Sequence, residues 1–168
     1  MSFEDTQNYV TENTSQVIAV LAEFAQTDVM LFWHPKAEIN AAQQKTWQPI
    51  LDKINANLNS VFKATEGLEI PPQNKTSAQI LAQKISALPA AKLTALYAAA
   101  LNLKSPLLAY AMVQKIISAD DAYTAAFLEE LQQNQAWGED AEAVQKRARI
   151  KAEIKQIEEY LNDQMPCH

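Results

Sequence analysis

Residues 76–116 read TSAQILAQKISALPAAKLTALYAAALNLKSPLLAYAMVQKI, and three helix starts fall inside that stretch. Thr76 or Ser77 is placed to cap a helix that turns Ile80, Leu81, Ile85 and Leu88 inward. Pro89 opens a second helix carrying Leu93, Leu96, Tyr97 and Leu101; a proline in the first turn loses no intrahelical hydrogen bond. Ser105-Pro106 repeats the signal and starts a third helix through Leu108, Met112 and Ile116. No segment alternates apolar and polar residues between turn signals, so the chain is predicted to be all-α, an array of antiparallel helical hairpins with no significant sheet.

The same signals extend in both directions. Thr14 and Ser15 are cap candidates for a stripe of Val17, Leu21 and Phe24, and Thr27-Asp28 is placed to cap a short apolar turn that His34-Pro35 ends after Trp33. A helix from about Ala37 reaches Trp47, which before Pro49 has the arrangement of a hydrophobic staple. Pro49 then starts a second segment with Ile50, Leu51, Ile54 and Leu58 inward. Thr65-Glu66-Gly67 and Pro71-Pro72 mark the longest loop, running to Lys75. Downstream, Ser118 with Asp120 caps a helix expected to end at Trp137. Gly138 follows as a left-handed residue, and Asp140 caps the last helix, where Ile150, Ile154, Ile157 and Leu161 alternate spacings of four and three. Two helices thus meet at a sharp corner that carries an indole and several carboxylates. With no fixed-period repeat and no low-complexity linker, residues 1–168 read as a single helical domain.

Composition narrows the function. A chain of 168 residues buries about 70% of its unfolded surface, enough to fold without disulfide or metal. Its single cysteine, Cys167, sits beside the C-terminus, where it has no intramolecular partner and lacks the oriented neighbours that activate a thiol. The net charge of −6 opposes binding to nucleic acid or to anionic lipid and suits a basic or amphipathic protein partner. Apolar runs such as Val29 to Trp33 and Ala95 to Leu101 fall short of the roughly 18 residues needed to insert across a membrane. The N-terminus Met1-Ser2-Phe3-Glu4-Asp5 lacks the basic and apolar regions of a secretory signal, so a cytoplasmic or already processed protein is expected.

Catalytic material is sparse. His34 abuts a proline and His168 is the last residue, so neither is expected to act as a general base, and no catalytic residue is assigned. Two glycines, Gly67 and Gly138, cannot build a phosphate-cradling loop; no cofactor and no metal is expected. The acid pairs Asp120-Asp121, Glu129-Glu130 and Glu139-Asp140 consist of neighbours that point about 100° apart on a helix and do not converge. Glu130 and Gln133, and Gln133 and Trp137, do share a face. That face reads either as a partner surface or as a solvated helix side with Trp137 turned into the core. Glu139 and Asp140 have a sufficient local role as N-terminal acids of the last helix, worth about 0.3–1 kcal/mol each. Trp33 and Trp47 read as packing anchors, and the run Met30 to Trp33 exceeds what one helix face can bury. The alternating charges of the last helix, including Lys146, Arg147, Arg149 and Lys151, read as a solvated face.

At the corner the sequence resembles the assembly chaperones that hold the α subunit of the F1 head of ATP synthase. Members of that family carry acids, then Gln, three residues, then Trp-Gly-Glu-Asp; here the residues are Glu129, Glu130, Gln133, Trp137, Gly138, Glu139 and Asp140. Further segments resemble the family in order: Thr27-Asp28, Trp47-Gln48-Pro49-Ile50-Leu51-Asp52, Thr65-Glu66-Gly67-Leu68, and Ser105 followed by Leu107 and Leu108. The resemblance covers roughly residues 14–162 and corresponds to the family's C-terminal helical domain; the family's N-terminal, mostly β domain is expected to be absent from residues 1–168. It implies a non-catalytic, ATP-independent holdase, monomeric and located in a bacterial cytoplasm or a mitochondrial matrix. Such a protein covers the surface of the F1 α subunit that later meets β. It also implies partner binding by Glu129, Glu130, Gln133, Trp137, Glu139 and Asp140. A helical adaptor with a different client is the alternative that the same residues allow.

Overall fold

In a computed structural model, the structure describes residues 3–138 and 140–164. The element order is α1 (Phe3–Glu12), α2 (Thr14–Gln26), a 3-10 turn η1 (Val29–Leu31), α3 (Ala37–Leu58), α4 (Pro72–Ser86), α5 (Ala90–Leu103), α6 (Pro106–Val113), α7 (Ala119–Ala126), α8 (Leu128–Trp137) and α9 (Ala141–Gln164). The described residues contain no strand, only one isolated parallel bridge between Phe32 and Thr65. The all-α expectation therefore stands.

At the centre lies α6, whose eight residues are all buried. A helix apolar on every side must be enclosed, and α2, α3, α5, α7 and α9 enclose it. Ser105 caps it as expected: its Oγ accepts from the Leu108 N–H at 3.1 Å, and Pro106 occupies the first turn. Among the described residues, three positions leave the helical basin for positive φ without glycine, namely Asn59, Lys104 and Lys115. Lys115 explains why the third helix of the opening stretch stops at Val113 rather than carrying Ile116.

Several expected boundaries shift. Helix α4 starts at Pro72, not at Thr76 or Ser77, because Pro72 already supplies a first-turn proline. Ser77 lies buried within the helix, where its Oγ accepts from the Val61 N–H at 2.9 Å. Pro49 does not start a new helix; it lies inside the continuous α3. Proline there removes one donor, yet Pro49 is on the exposed side, where water can reach the freed carbonyl. On the other side Trp47, Leu51, Ile54 and Leu58 are buried and hold both halves in register. Trp47 is accordingly no staple but a core residue, 1% exposed, whose Nε1 donates to the Ala125 carbonyl of α7 at 2.8 Å. The helix capped by Ser118 breaks at Phe127 into α7 and α8. The two halves have different partners, α6 and α9 for the first and α3 for the second.

A carboxylate fastens the middle of the fold. Asp28 caps η1 by accepting from the Met30 N–H at 3.0 Å, as its sequence position implies. It also accepts from the Leu107 N–H at 2.9 Å and from the Ser105 hydroxyl, which lies 2.8 Å from each carboxylate oxygen. One acid thereby serves the N-termini of both η1 and α6, where helix dipoles favour negative charge. Asp28 is fully buried; burial pushes its carboxyl up to about 6, while the Leu107 and Met30 N–H groups and the Ser105 hydroxyl pull it back.

Candidate functional site

Helix α8 begins with Glu129 and Glu130 in its first turn, where acids complement the helix dipole. Arg147, on the second turn of α9, is 4% exposed, and its Nη1 donates to Glu130 Oε1 at 2.9 Å. In the amide orientation that satisfies both groups, Asn134 Oδ1 accepts from Arg147 Nη1 and Nη2 at 3.1 and 3.2 Å. Glu130 and Asn134 stand four residues apart on one face of α8, so together they clamp the guanidinium and tie α8 to α9 across the corner. Arg147 had read as one cation of a solvated face; the structure buries it. The Glu130 side chain stays 41% exposed and so faces both Arg147 and solvent.

Glu129 points away from this clamp, with Oε1 3.9 Å from His34 Nε2. His34 is held by its own contacts: its N–H donates to Gln43 Oε1 at 2.7 Å and its Nδ1 accepts from the Lys36 N–H at 3.0 Å. An accepting Nδ1 leaves the proton of the neutral ring on Nε2, facing Glu129. The loop containing Thr65-Glu66-Gly67-Leu68 is fixed beside His34. Thr65 donates its N–H to Leu31 O at 2.8 Å and accepts from the Trp33 N–H at 2.9 Å. Asn40 Nδ2 links the His34 carbonyl, at 3.1 Å, to Glu66 Oε1, at 3.0 Å. The loop tip presents Leu68, which is 96% exposed. Glu129, His34, Glu66 and Leu68 therefore belong to neighbouring parts of the surface although they come from three separate segments.

At the corner itself, Gly138 has φ 86° and ψ 171°. It is not the left-handed helical residue expected; it occupies the extended positive-φ region that only glycine enters readily. Its N–H donates to Asn134 O at 2.8 Å and closes α8. Asp140 is exposed, its carbonyl receives the first backbone bond of α9 from Val144 at 3.0 Å, and its Oδ1 lies 3.4 Å from the Glu142 N–H. Gln133 is exposed. Trp137 is the last residue of α8; its side chain, and all of Glu139, lie outside the described residues. Among the described residues no three His, Cys, Asp or Glu side chains group as metal ligands.

The clamp yields a first prediction. Glu130→Lys sets an ammonium against the buried guanidinium and is expected to destabilise the fold by about 1–2 kcal/mol, whereas Glu130→Gln keeps an acceptor and changes stability less. Urea titration of both variants separates these outcomes, and equal stability of the two would remove the clamp from the account.

Neither a protein-family model nor a curated protein matches the sequence. Solved structures do. Atp12 from Paracoccus denitrificans superposes with a TM-score of 0.84 at 26% identity, covering 91% of this chain and 66% of that one, and a point mutant of the same Atp12 gives identical values. The Atu1473 protein of Agrobacterium tumefaciens superposes with a TM-score of 0.78 at 24% identity over 92% of this chain and 58% of its own. This chain thus spans a little under two thirds of the Atp12 length. It has the helical fold found in Atp12 from Paracoccus denitrificans.

Proposed function

We propose that this chain is an ATP synthase assembly chaperone that binds the unassembled F1 α subunit and shields its β-facing interface, with no catalytic step. The observation that carries this reading is the match to Atp12, which extends over 91% of the chain at a TM-score of 0.84 and 26% identity. An unassembled subunit exposes apolar interface, and covering that surface prevents aggregation without nucleotide or chemistry. No described helix is long and apolar enough to cross a membrane, and the reading places the protein in a bacterial cytoplasm or a mitochondrial matrix.

The contact surface on this reading is the acidic side of α8 and the corner: Glu129, Glu130, Gln133, Trp137, Glu139 and Asp140. Glu129, Gln133 and Asp140 are available for charge and hydrogen-bond recognition of basic groups on the client, whereas Glu130 must serve the client and Arg147 together. A pull-down of F1 α subunit by the tagged chain tests the pairing. Glu129→Lys is expected to weaken capture about tenfold or more while leaving the melting curve close to wild type. Failure of the wild-type chain to retain α subunit, or undiminished capture by Glu129→Lys, would contradict the pairing or the surface respectively.

A further inference from the structure

A groove runs between α5 and α9. Two adjoining cavities of 410 and 580 Å³ open between the C-terminal half of α5 and α9, and Leu101, Asn102, Glu153 and Gln156 line both. The groove follows α9 from Tyr160 to Lys146, a length of about 21 Å at 1.5 Å per residue. One end is apolar: Phe3 and Tyr160 pack ring against ring at 4.0 Å beside it. In the middle Leu101, 54% exposed, projects from α5 into both cavities. The other end is cationic, with Lys104, Lys146 and Arg149 around one cavity. Among the described residues none of these three side chains has an ion-pair or hydrogen-bond partner. The acid in the middle of the groove is Glu153.

Three cations gathered at one groove give it a local positive charge in a chain of net charge −6. Among the other cations, Lys155 pairs with Asp120, Lys151 lies over the Tyr123 ring and Lys115 donates to Asn162. We propose that this groove is a docking site for an acidic amphipathic helix of a partner protein, its apolar stripe on Leu101 and the Phe3–Tyr160 end and its carboxylates on Lys104, Lys146 and Arg149. The length accommodates about four helical turns, and an apolar stripe laid in a groove with charge at one end is the usual way such helices are read. A nucleic acid or an anionic membrane would need a broad positive field, which the overall charge opposes. The inference uses residues of α1, α5 and α9 and none of the acids of α8.

The test is fluorescence anisotropy of the full chain with a labelled synthetic helix that carries Leu at i, i+3, i+4 and i+7 and Glu on the flanking positions. Saturable, salt-sensitive binding is expected, weakened about tenfold or more by Lys146→Glu with Arg149→Glu and likewise by Leu101→Asp. All three positions are exposed, so unchanged thermal melts are expected to accompany the loss. Absence of binding, equal binding of a Lys-for-Glu peptide, indifference to the variants, or a preference for phosphatidylglycerol vesicles or duplex DNA would each overturn the proposal.

Discussion

Asp28→Ala is expected to lower the free energy of unfolding by about 3 kcal/mol at neutral pH. Removing the carboxylate strands three buried donors, the Met30 and Leu107 N–H groups and the Ser105 hydroxyl. Each such group left without a partner costs about 1–3 kcal/mol, so the gross loss exceeds the relief from no longer burying a charge. In a chain of this length that net loss corresponds to a melting temperature lower by roughly 6–12 °C. The pH dependence is equally specific. Asp28 titrates at about 6 in the fold against 3.8 for a free aspartate, so the folded state holds the proton more tightly than the unfolded one. Its ionised form therefore lowers stability above pH 6, and this penalty fades as pH falls from about 6 towards 3.8. The full effect is on the order of 3 kcal/mol. Paired surface acids run the opposite way, so the comparison is between wild type and Asp28→Asn in urea titrations from pH 7 to pH 4. The wild type is expected to gain on the variant with acidification; parallel curves would refute this account of Asp28.

Trp47→Ala carries the largest single effect, about 3–5 kcal/mol, because it empties a site that is 1% exposed at the junction of α3 and α7. Trp47→Phe separates packing from hydrogen bonding. It refills most of the volume but removes the indole bond to the Ala125 carbonyl, which the Phe127 N–H also approaches, so an intermediate loss of about 1–3 kcal/mol is expected. Chemical denaturation that gave equal losses for the two variants would assign the whole effect to the hydrogen bond, and a loss under about 1 kcal/mol for alanine would contradict the packing described.

What could be read from the sequence was local. Ser105-Pro106 starts α6, Ser118 caps α7 through the Asp121 N–H, and the inward stripe of α9 buries Ile154, Ile157 and Leu161. Each depends on residues a few positions apart. Features that depend on distant partners were not legible. Asp28 shows its capping role locally, but its bond to Ser105 spans 77 residues and decides its burial. Pro49 looks like a helix start because local chemistry makes it one, and only the buried face around Trp47 shows that α3 continues through it. The break at Phe127 has no glycine or proline beside it; it follows from the different packing partners of α7 and α8.

The candidate site divides in the same way. Gly138 marked the corner correctly as a positive-φ position, and the acids of α8 are where the sequence put them. Arg147 was missed, although Glu130 and Asn134 at a four-residue spacing form the acceptor pair that would have revealed it. Several segments that carried the family resemblance have structural work: Asp28 bonds Ser105, Thr65 bridges Phe32, and Trp47 anchors α7. Their resemblance to the family therefore speaks for the fold, and the partner recognition proposed above rests on the acids of α8 and the corner.

The most direct measurement is light scattering of purified, unassembled F1 α subunit incubated with increasing amounts of this chain and without nucleotide. Scattering is expected to fall to near baseline at about equimolar chain, as a one-to-one holdase complex forms, and to be insensitive to added ATP. Undiminished aggregation at a severalfold excess of the chain, with no complex on gel filtration, would contradict the proposed function.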